Sequence, residues 1–168
     1  VDGVTEGAAC TTLLAKSLIN NDDPLLIANS DQYLEWDSNQ FMYSMTGDSI
    51  DGGILTFPST HPKWSYAEVS GDGLVIRVEE KIPISEHATV GVYYFKKGES
   101  YVRAAEQMIK KNIRTNGEFY VCPAYNQCIL NKEKIKIHEI SQGSMWGLGT
   151  PEDLAHFCQS HETHSPQR

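Results

Sequence analysis

Asp31 is the first residue of the chain whose setting suits a chemical role. It follows the short apolar run 25–28, and polar residues follow it at once. Ligands of α/β proteins bind at the carboxyl ends of the strands, so a carboxylate there is a candidate Mg²⁺ ligand or catalytic group. An aspartate at this point also closes an ordinary strand-to-helix turn. The segment alone leaves both interpretations open.

Further segments carry residues that suit a charged ligand. The segment 6–9 places small residues, Gly7 to Ala9, at a predicted helix start, where a phosphate or a flat ring can approach the backbone amides. Glu80 and Lys81 end a predicted strand and point to opposite faces if that strand is regular. The segment 144–154 places glycines and a threonine before a helix, which is typical of a turn with exposed backbone donors. Close helix packing and an exposed charged strand end are the structural alternatives.

Strand and helix patterns alternate early in the chain, and strand patterns dominate its middle. This order predicts one α/β domain over residues 1–160, with a mixed, mostly parallel sheet flanked by helices and a loose tail at 161–168. The uniformly apolar run 25–28 predicts a central parallel strand buried on both faces. Other strands are predicted at 52–57, 66–69, 74–81, 88–95 and 134–140, and helices at 5–19, 34–45, 101–113, 119–130 and 151–161.

Composition excludes several classes of partner. The net charge is −8 and the basic residues do not cluster, which argues against a nucleic-acid backbone. No apolar run approaches the length of a membrane span. The four cysteines form no CxxC pair, so we expect reduced thiols in a cytoplasmic protein.

Taken in register, these segments resemble the sugar-phosphate nucleotidyltransferases. That family joins a nucleoside triphosphate to a sugar 1-phosphate or similar phosphate and releases pyrophosphate. The resemblance covers Thr5 to about Phe157, and its most specific parts are 26–31, 80–83 with 91–95, and 149–154. The segment 117–126 is similar to the version found among capsule and surface-polysaccharide enzymes.

The resemblance implies the nucleotide-diphospho-sugar transferase fold and a role for each matching residue. Asp31 would bind Mg²⁺ and act in catalysis together with Lys81. In the implied mechanism an acceptor phosphate oxygen attacks the α-phosphorus in line, so positioning and electrostatics supply the rate. The nucleotide is expected at Gly7, Ala8 and Asn29, and the sugar phosphate at Glu80, Ala67, Gly91, Glu118, Tyr125, Asn126 and Thr150.

The chain also departs from the family pattern. The family's glycine-rich loop, with the arginine and lysine that cradle the triphosphate, does not occur in these 168 residues, which begin at Val1 without Met. We therefore expect part of a longer enzyme, with negligible turnover on its own and with a second copy covering an exposed sheet edge as a homodimer. Gly147 stands where many members have a second metal-binding aspartate, so Asp153 or a residue outside the chain would complete the metal site.

Two other functions compete with this one. A glycosyltransferase of related fold would take a nucleotide sugar as donor, but such enzymes normally carry an Asp-x-Asp motif, and Asn29-Ser30-Asp31 supplies only its last carboxylate. A catalytically silent binding or assembly module of the same fold is the other alternative. Convergence of Asp31, Glu80 and Lys81 on one cleft is the structural expectation that favours the nucleotidyltransferase.

Overall fold

The structure is a computed structural model that describes residues 3–47 and 49–162. Its helices are α1 (Ala8–Leu13), α2 (Lys16–Ile19), α3 (Ser38–Met45), α4 (Gly98–Lys110), α5 (Ala124–Leu130) and α6 (Pro151–Glu162), with a 3₁₀ turn at Gln142–Ser144. Its strands are β1 (Leu25–Ala28), β2 (Gln32–Leu34), β3 (Gly52–Pro58), β4 (Ser65–Val69), β5 (Val75–Glu80), β6 (His87–Phe95), β7 (Ile135–Glu139) and β8 (Met145–Gly147).

A six-stranded mixed sheet forms the centre of the molecule, which confirms the predicted α/β class. Its order is β5-β4-β6-β3-β7, with β1 added beside β6. The long strand β6 runs antiparallel to β3 on one side and to β1 and β4 on the other. Only β3 and β7 form a parallel pair among the described strands. Strands β1, β3, β4 and β7 nevertheless share one direction, because β5 and β6 both run against them.

The prediction for residues 25–28 is correct for the strand and wrong for its place in the sheet. Strand β1 pairs antiparallel with β6, from Leu25 opposite Phe95 to Ala28 opposite Val92. Leu26 is 47 % exposed, so β1 is not buried on both faces. A short apolar run has no local feature that selects its partner, and the neighbouring strand is decided by long-range packing.

Strand β6 is buried on both faces because each face packs on its own apolar layer. Tyr93 and Phe95 face a cluster that includes residues of α4 and α5. Val92 and Tyr94 face a second cluster that includes residues of α3. Alternation along the strand assigns successive side chains to the two layers. This three-layer arrangement fixes the carboxyl end of β5 and the middle of β6, where the candidate site lies.

Several element boundaries differ from the predicted ones for local reasons. Helix α3 begins at Ser38, since Asp37 accepts a hydrogen bond from the Asn39 N–H and residues 32–34 instead pair with β8. The helix expected at 101–113 spans 98–110, and Asn112 follows it with a φ of 53°. The helix expected at 5–19 is divided into α1 and α2. Of the predicted tail, 161 and 162 end α6 and 163–168 lie outside the described residues. None of the described helices is long and apolar enough to cross a membrane.

Candidate functional site

A cleft of about 220 Å³ opens beside the carboxyl end of β5 and the middle of β6. It brings together residues that are distant in sequence and that the sequence analysis singled out. These residues are Ala8, Asn29, Glu80, Lys81 and Gly91. The cleft is also lined by side chains that the sequence analysis did not assign to the site, among them Lys63, Ser65, Thr89, Tyr93, Tyr120 and Cys122.

Glu80 supplies a buried carboxyl group to the cleft. Glu80 is 6 % exposed, and Ser65 Oγ donates a hydrogen bond to Glu80 Oε2. Ser65 stands opposite Glu80 in the β4–β5 ladder, and cross-strand partners share one face of a sheet. Burial raises the pKa of Glu80, against the opposing effects of the Ser65 hydrogen bond and the Lys81 charge. The result is a fixed, poorly hydrated carboxyl group that suits hydrogen bonding to a polar ligand.

Lys81 lines the same cleft, which corrects the expectation that it points away from Glu80. The strand ends at Glu80, and Lys81 adopts a left-handed backbone with a φ of 61°. Strand alternation therefore stops at this residue. The Lys81 N–H donates to the Trp64 carbonyl at 3.0 Å, and its Nζ donates to Tyr120 Oη at 2.8 Å. This hydrogen bond to Tyr120 is the main cause that raises the pKa of Lys81.

Uncharged polar groups form the floor of the cleft. Tyr93 and Thr89 are buried, and their hydroxyl oxygens lie 3.0 Å apart in a hydrogen bond. Cys122 is buried beside them, and burial raises the pKa of its thiol and of the Tyr93 phenol. A thiol with a raised pKa is a poor nucleophile, so Cys122 contributes packing here.

The mouth of the cleft is built by backbone contacts. Phe119 is tied to the segment before α1: its N–H donates to the Glu6 carbonyl at 2.8 Å, and its carbonyl accepts from the Ala9 N–H at 2.9 Å. Gly7 is required there, because a Cβ at this residue would lie 2.5 Å from the Phe119 oxygen. These two hydrogen bonds resemble those between paired strands. They hold Ala8 at the cleft, which Tyr120, the residue after Phe119, also lines.

Asp31 lies at a different place from the one expected. It is exposed and is not among the residues that line the cleft, although Asn29 before it is. Its carbonyl accepts from the Leu148 N–H at 2.8 Å, and a Cβ at Gly149 would lie 2.7 Å from its Oδ2. The expected convergence of three ionic side chains is therefore limited to Glu80 and Lys81 in the cleft.

The described residues contain no cluster of three or more His, Cys, Asp or Glu side chains that could hold a metal ion. Asp153 lies near the position of the missing aspartate, since its Oδ2 would be 3.7 Å from a Cβ at Gly147. Its other oxygen, however, pairs with Lys63 Nζ at 3.5 Å. Mg²⁺ is commonly held by one or two carboxylates together with substrate phosphates and water. The exposed carboxylate of Asp31 fits that mode of binding, and an all-protein cage does not exist in the described residues.

Tyr125 and Asn126 support the sheet and do not line the cleft. The buried Tyr125 hydroxyl oxygen lies 2.9 Å from the carbonyl oxygens of both Gly53 and Tyr94, which share its one proton. Asn126 forms two hydrogen bonds with the backbone of Val78 in β5: its Oδ1 accepts from the N–H at 2.9 Å and its Nδ2 donates to the carbonyl at 2.8 Å. Their polar groups are therefore engaged in positioning the strands that carry the site.

The remaining residues assigned by resemblance lie around the site. Ala67 is fully buried in the core of β4. Thr150 is exposed, and its Oγ1 accepts from the Asp153 N–H at 3.1 Å at the start of α6. Glu118 is exposed and lies near enough to contribute to the raised pKa of Lys81 through its charge.

Some of the unassigned residues had a signal in the sequence. The turn at 70–73 predicts the hairpin, and a bulge between Glu68 and Val69 then shifts the register by one residue so that Ser65 stands opposite Glu80. Trp64 and Lys63 precede the hairpin, and Lys63 Nζ lies 4.6 Å from the Trp64 ring centre. Tyr120 had no such signal, because its approach to Lys81 depends on the loop before α5.

Comparison with known proteins relates this geometry to solved structures. No protein-family model matches the sequence, and no curated protein matches it. The nucleoside-diphosphate-sugar pyrophosphorylase of Vibrio cholerae RC9 superimposes with a TM-score of 0.76 and 26 % identity, over 95 % of this chain and 67 % of that protein. A candidate glucose-1-phosphate thymidylyltransferase of Bacillus anthracis, in complex with a sucrose, superimposes with a TM-score of 0.74 and 17 % identity, over 100 % of this chain and 66 % of that protein.

The chain thus spans about two thirds of the length of each of these proteins. The likeness extends over nearly all of the chain, so it concerns the whole architecture and not a single motif. Its structural neighbours are a nucleoside-diphosphate-sugar pyrophosphorylase and a candidate thymidylyltransferase, and the chain therefore has the fold expected of the sugar-phosphate nucleotidyltransferases.

Proposed function

We propose that this chain forms the sugar-phosphate part of a nucleotidyltransferase site. In the reaction, a phosphate oxygen of a sugar 1-phosphate attacks the α-phosphorus of a nucleoside triphosphate, and pyrophosphate leaves. One observation carries the proposal: a buried carboxyl group, Glu80, and an ammonium group, Lys81, enter the same cleft from adjacent positions. The structural neighbours, one of them a nucleoside-diphosphate-sugar pyrophosphorylase, support it.

The two groups suit the two halves of a sugar phosphate. A buried carboxylate accepts hydrogen bonds from sugar hydroxyls more strongly than an exposed one, because little water competes for it. Ser65 holds one oxygen of Glu80 and leaves the rest of its acceptor capacity for a ligand. The Lys81 ammonium supplies the positive charge that a phosphate requires. The geometry therefore favours a phosphorylated sugar over a free sugar or inorganic phosphate.

The proposed reaction needs little covalent chemistry from the protein. Glu80 orients the sugar, Lys81 orients and partly neutralises the attacking phosphate, and Asn29 and Ala8 border the nucleotide side of the cleft. Asp31 is the residue we propose for holding Mg²⁺ together with the phosphates of the substrate. When bound there, the ion would neutralise charge on the triphosphate.

Binding is the direct test, since the family's glycine-rich loop does not occur in these 168 residues. Calorimetry would compare a panel of sugar 1-phosphates with the corresponding free sugars, for the wild type and for Lys81→Met and Glu80→Gln. We expect each substitution to weaken sugar 1-phosphate binding by about tenfold or more. Lys16→Met and Glu79→Gln are the matched controls, because Lys16 pairs with Glu106 and Glu79 is the neighbour of Glu80 in β5; neither residue lines the cleft.

The result that would overturn the proposal is a wild type that binds no member of the panel, or binding that both substitutions leave unchanged. The role of Mg²⁺ is tested separately, by measuring nucleoside triphosphate binding with and without the ion in the wild type and in Asp31→Asn. We expect the gain in affinity with Mg²⁺ to disappear in Asp31→Asn. An equal gain in both proteins would exclude Asp31 as the ligand.

We also propose that a second copy of the chain covers the free edge of β1. Within the described part of the chain, β1 pairs with β6 alone, and Leu18 and Leu26 are 76 % and 47 % exposed. Sedimentation should show a dimer that Leu26→Lys converts to a monomer.

We further propose a cytoplasmic enzyme that supplies capsular polysaccharide synthesis, which the resemblance of residues 117–126 supports.

A further inference from the structure

Among the described residues, Tyr120 is the one side chain that forms a hydrogen bond with the Lys81 ammonium. Lys81 Nζ donates to Tyr120 Oη at 2.8 Å and lies 4.8 Å from the centre of the Tyr120 ring. No carboxylate oxygen in residues 3–47 and 49–162 lies within ion-pair distance of this Nζ. The ammonium is therefore held by a neutral group.

A neutral partner has a different consequence from a charged one. A carboxylate in contact with Lys81 would fix the side chain but would also neutralise the charge that a phosphate needs. A phenol fixes the ammonium through its lone pair and ring while the full positive charge stays available. Two nearby acids, Glu80 and Glu118, act on Lys81 through their charge, but neither forms an ion pair with its Nζ: Glu80 accepts a hydrogen bond from Ser65, and Glu118 is exposed.

The backbone around Tyr120 holds the phenol in place. The preceding residue, Phe119, is hydrogen-bonded through both its N–H and its carbonyl to the segment before and within α1. The Arg114 guanidinium stacks 4.0 Å from the centre of the Phe119 ring and is tied to Glu6. Lys81 itself is fixed by its left-handed backbone and by its N–H bond to the Trp64 carbonyl. The backbone segments that carry Lys81 and Tyr120 are therefore both held in place by these contacts.

We propose that Tyr120 is a positioning residue whose phenol holds the Lys81 ammonium at the phosphate-binding point of the cleft without neutralising it. This inference rests on the proposed function for the role of Lys81. The contact between the two side chains does not rest on it, and the two parts can be tested apart.

The contact is tested by labelling amines competitively with acetic anhydride at about pH 9 and by measuring the modified peptides by mass spectrometry. Only the unprotonated amine reacts. Tyr120→Phe removes the acceptor oxygen and keeps the ring, so we expect the reactivity of Lys81 relative to Lys16 to rise about threefold or more. Tyr43→Phe is the control, because Tyr43 is 80 % exposed and does not line the cleft. An unchanged ratio in Tyr120→Phe would overturn the contact.

The role is tested by a double-mutant cycle in sugar 1-phosphate binding. If Tyr120 acts through Lys81, Tyr120→Phe should weaken binding about five- to tenfold in the wild type and should have no further effect in Lys81→Met. A loss of equal size in both backgrounds would overturn the proposal, since Tyr120 would then act on the ligand or the fold directly. Thermal unfolding of Tyr120→Phe should match that of Tyr43→Phe.

The cycle also separates the two proposals. If Lys81→Met leaves sugar 1-phosphate affinity unchanged, the proposed function fails and the role of Tyr120 in it fails too, whereas the labelling result still decides the contact. If Lys81→Met weakens binding and Tyr120→Phe does not, the proposed function stands and the positioning role is overturned.

Discussion

The amide of Asn29 occupies the space above Gly91 that any side chain at Gly91 would need. A Cβ there would lie 2.6 Å from Cγ of Asn29, and Gly91 has a φ of 78°. The Asn29 N–H also donates to the Gly91 carbonyl at 2.9 Å. This pair joins the end of β1 to the middle of β6 and places both residues at the cleft.

We therefore predict that Gly91→Ala destabilises the protein and displaces Asn29. The positive φ costs about 1–2 kcal/mol for any residue with a Cβ, and the contact with Asn29 adds about 1–2 kcal/mol. The measurement is the free energy of unfolding in urea. Gly73→Ala is the matched control, because Gly73 has a φ of 83° and no atom within 4 Å of its Cβ position.

The two glycine variants should differ by the cost of the contact with Asn29 alone. Asn29→Ala combined with Gly91→Ala should recover most of that difference, since it removes the two nearest atoms, Nδ2 and Cγ, and leaves only the Cβ of residue 29, at 3.2 Å. Equal destabilisation by Gly91→Ala and Gly73→Ala would show that the space above Gly91 is not restrictive.

We predict an unusual dependence of stability on pH from Glu80. Burial raises its pKa above the ordinary value of 4.5, so the folded protein binds this proton more tightly than the unfolded chain does. The free energy of unfolding should then fall as the pH rises from about 4.5 through the raised pKa. Glu80→Gln should remove this decline, and urea denaturation across that pH range would measure it.

Glu79→Gln controls for the loss of a charge on the same strand. It should leave the decline with rising pH in place, because Glu79 is not the buried carboxyl group of the cleft. If Glu80→Gln shows the same decline as the wild type, the carboxyl group of Glu80 is as well solvated in the folded state as in the unfolded chain.

Tyr125 should be a stability residue and not a substrate ligand. Tyr125→Phe removes the one buried hydroxyl group that donates to the carbonyls of Gly53 and Tyr94, and we expect a loss of about 1–3 kcal/mol with unchanged sugar 1-phosphate affinity. Urea denaturation and calorimetry give the two numbers, with Tyr43→Phe as the exposed control. A fall in sugar 1-phosphate affinity at unchanged stability would show instead that Tyr125 binds the substrate.

Asn126 should protect the strand that ends at Glu80. Asn126→Ala removes both hydrogen bonds to the backbone of Val78, so the Val78 amide should exchange with deuterium faster and stability should fall by about 1–3 kcal/mol. Asn131→Ala is the control at the end of the same helix, since Asn131 is exposed. Unchanged exchange at Val78 would contradict the bridging role.

Some of this site follows from local sequence pattern. The hairpin of β4 and β5 is predictable because a Gly-rich turn separates two apolar strands. The pairing of Ser65 with Glu80 also depends on a bulge between Glu68 and Val69, which the turn does not predict. The orientation of Lys81 is not predictable in this way, because a left-handed lysine has no compositional signal and reverses the expected alternation. Asp31 was identified by its position after an apolar run, yet its carboxylate lies toward Gly149 and not in the cleft.

The α/β class, most of the strands and the chemical types of the site residues follow from the amino-acid sequence alone, because apolar periodicity and turn residues act over a few positions. The antiparallel pairing of β1 with β6, the contact of Tyr120 with Lys81, and the hydrogen bonds of Tyr125 and Asn126 to the sheet depend on long-range packing. Those contacts join residues far apart in the chain. Their free energy comes from packing the whole core around β6, which no short segment contains.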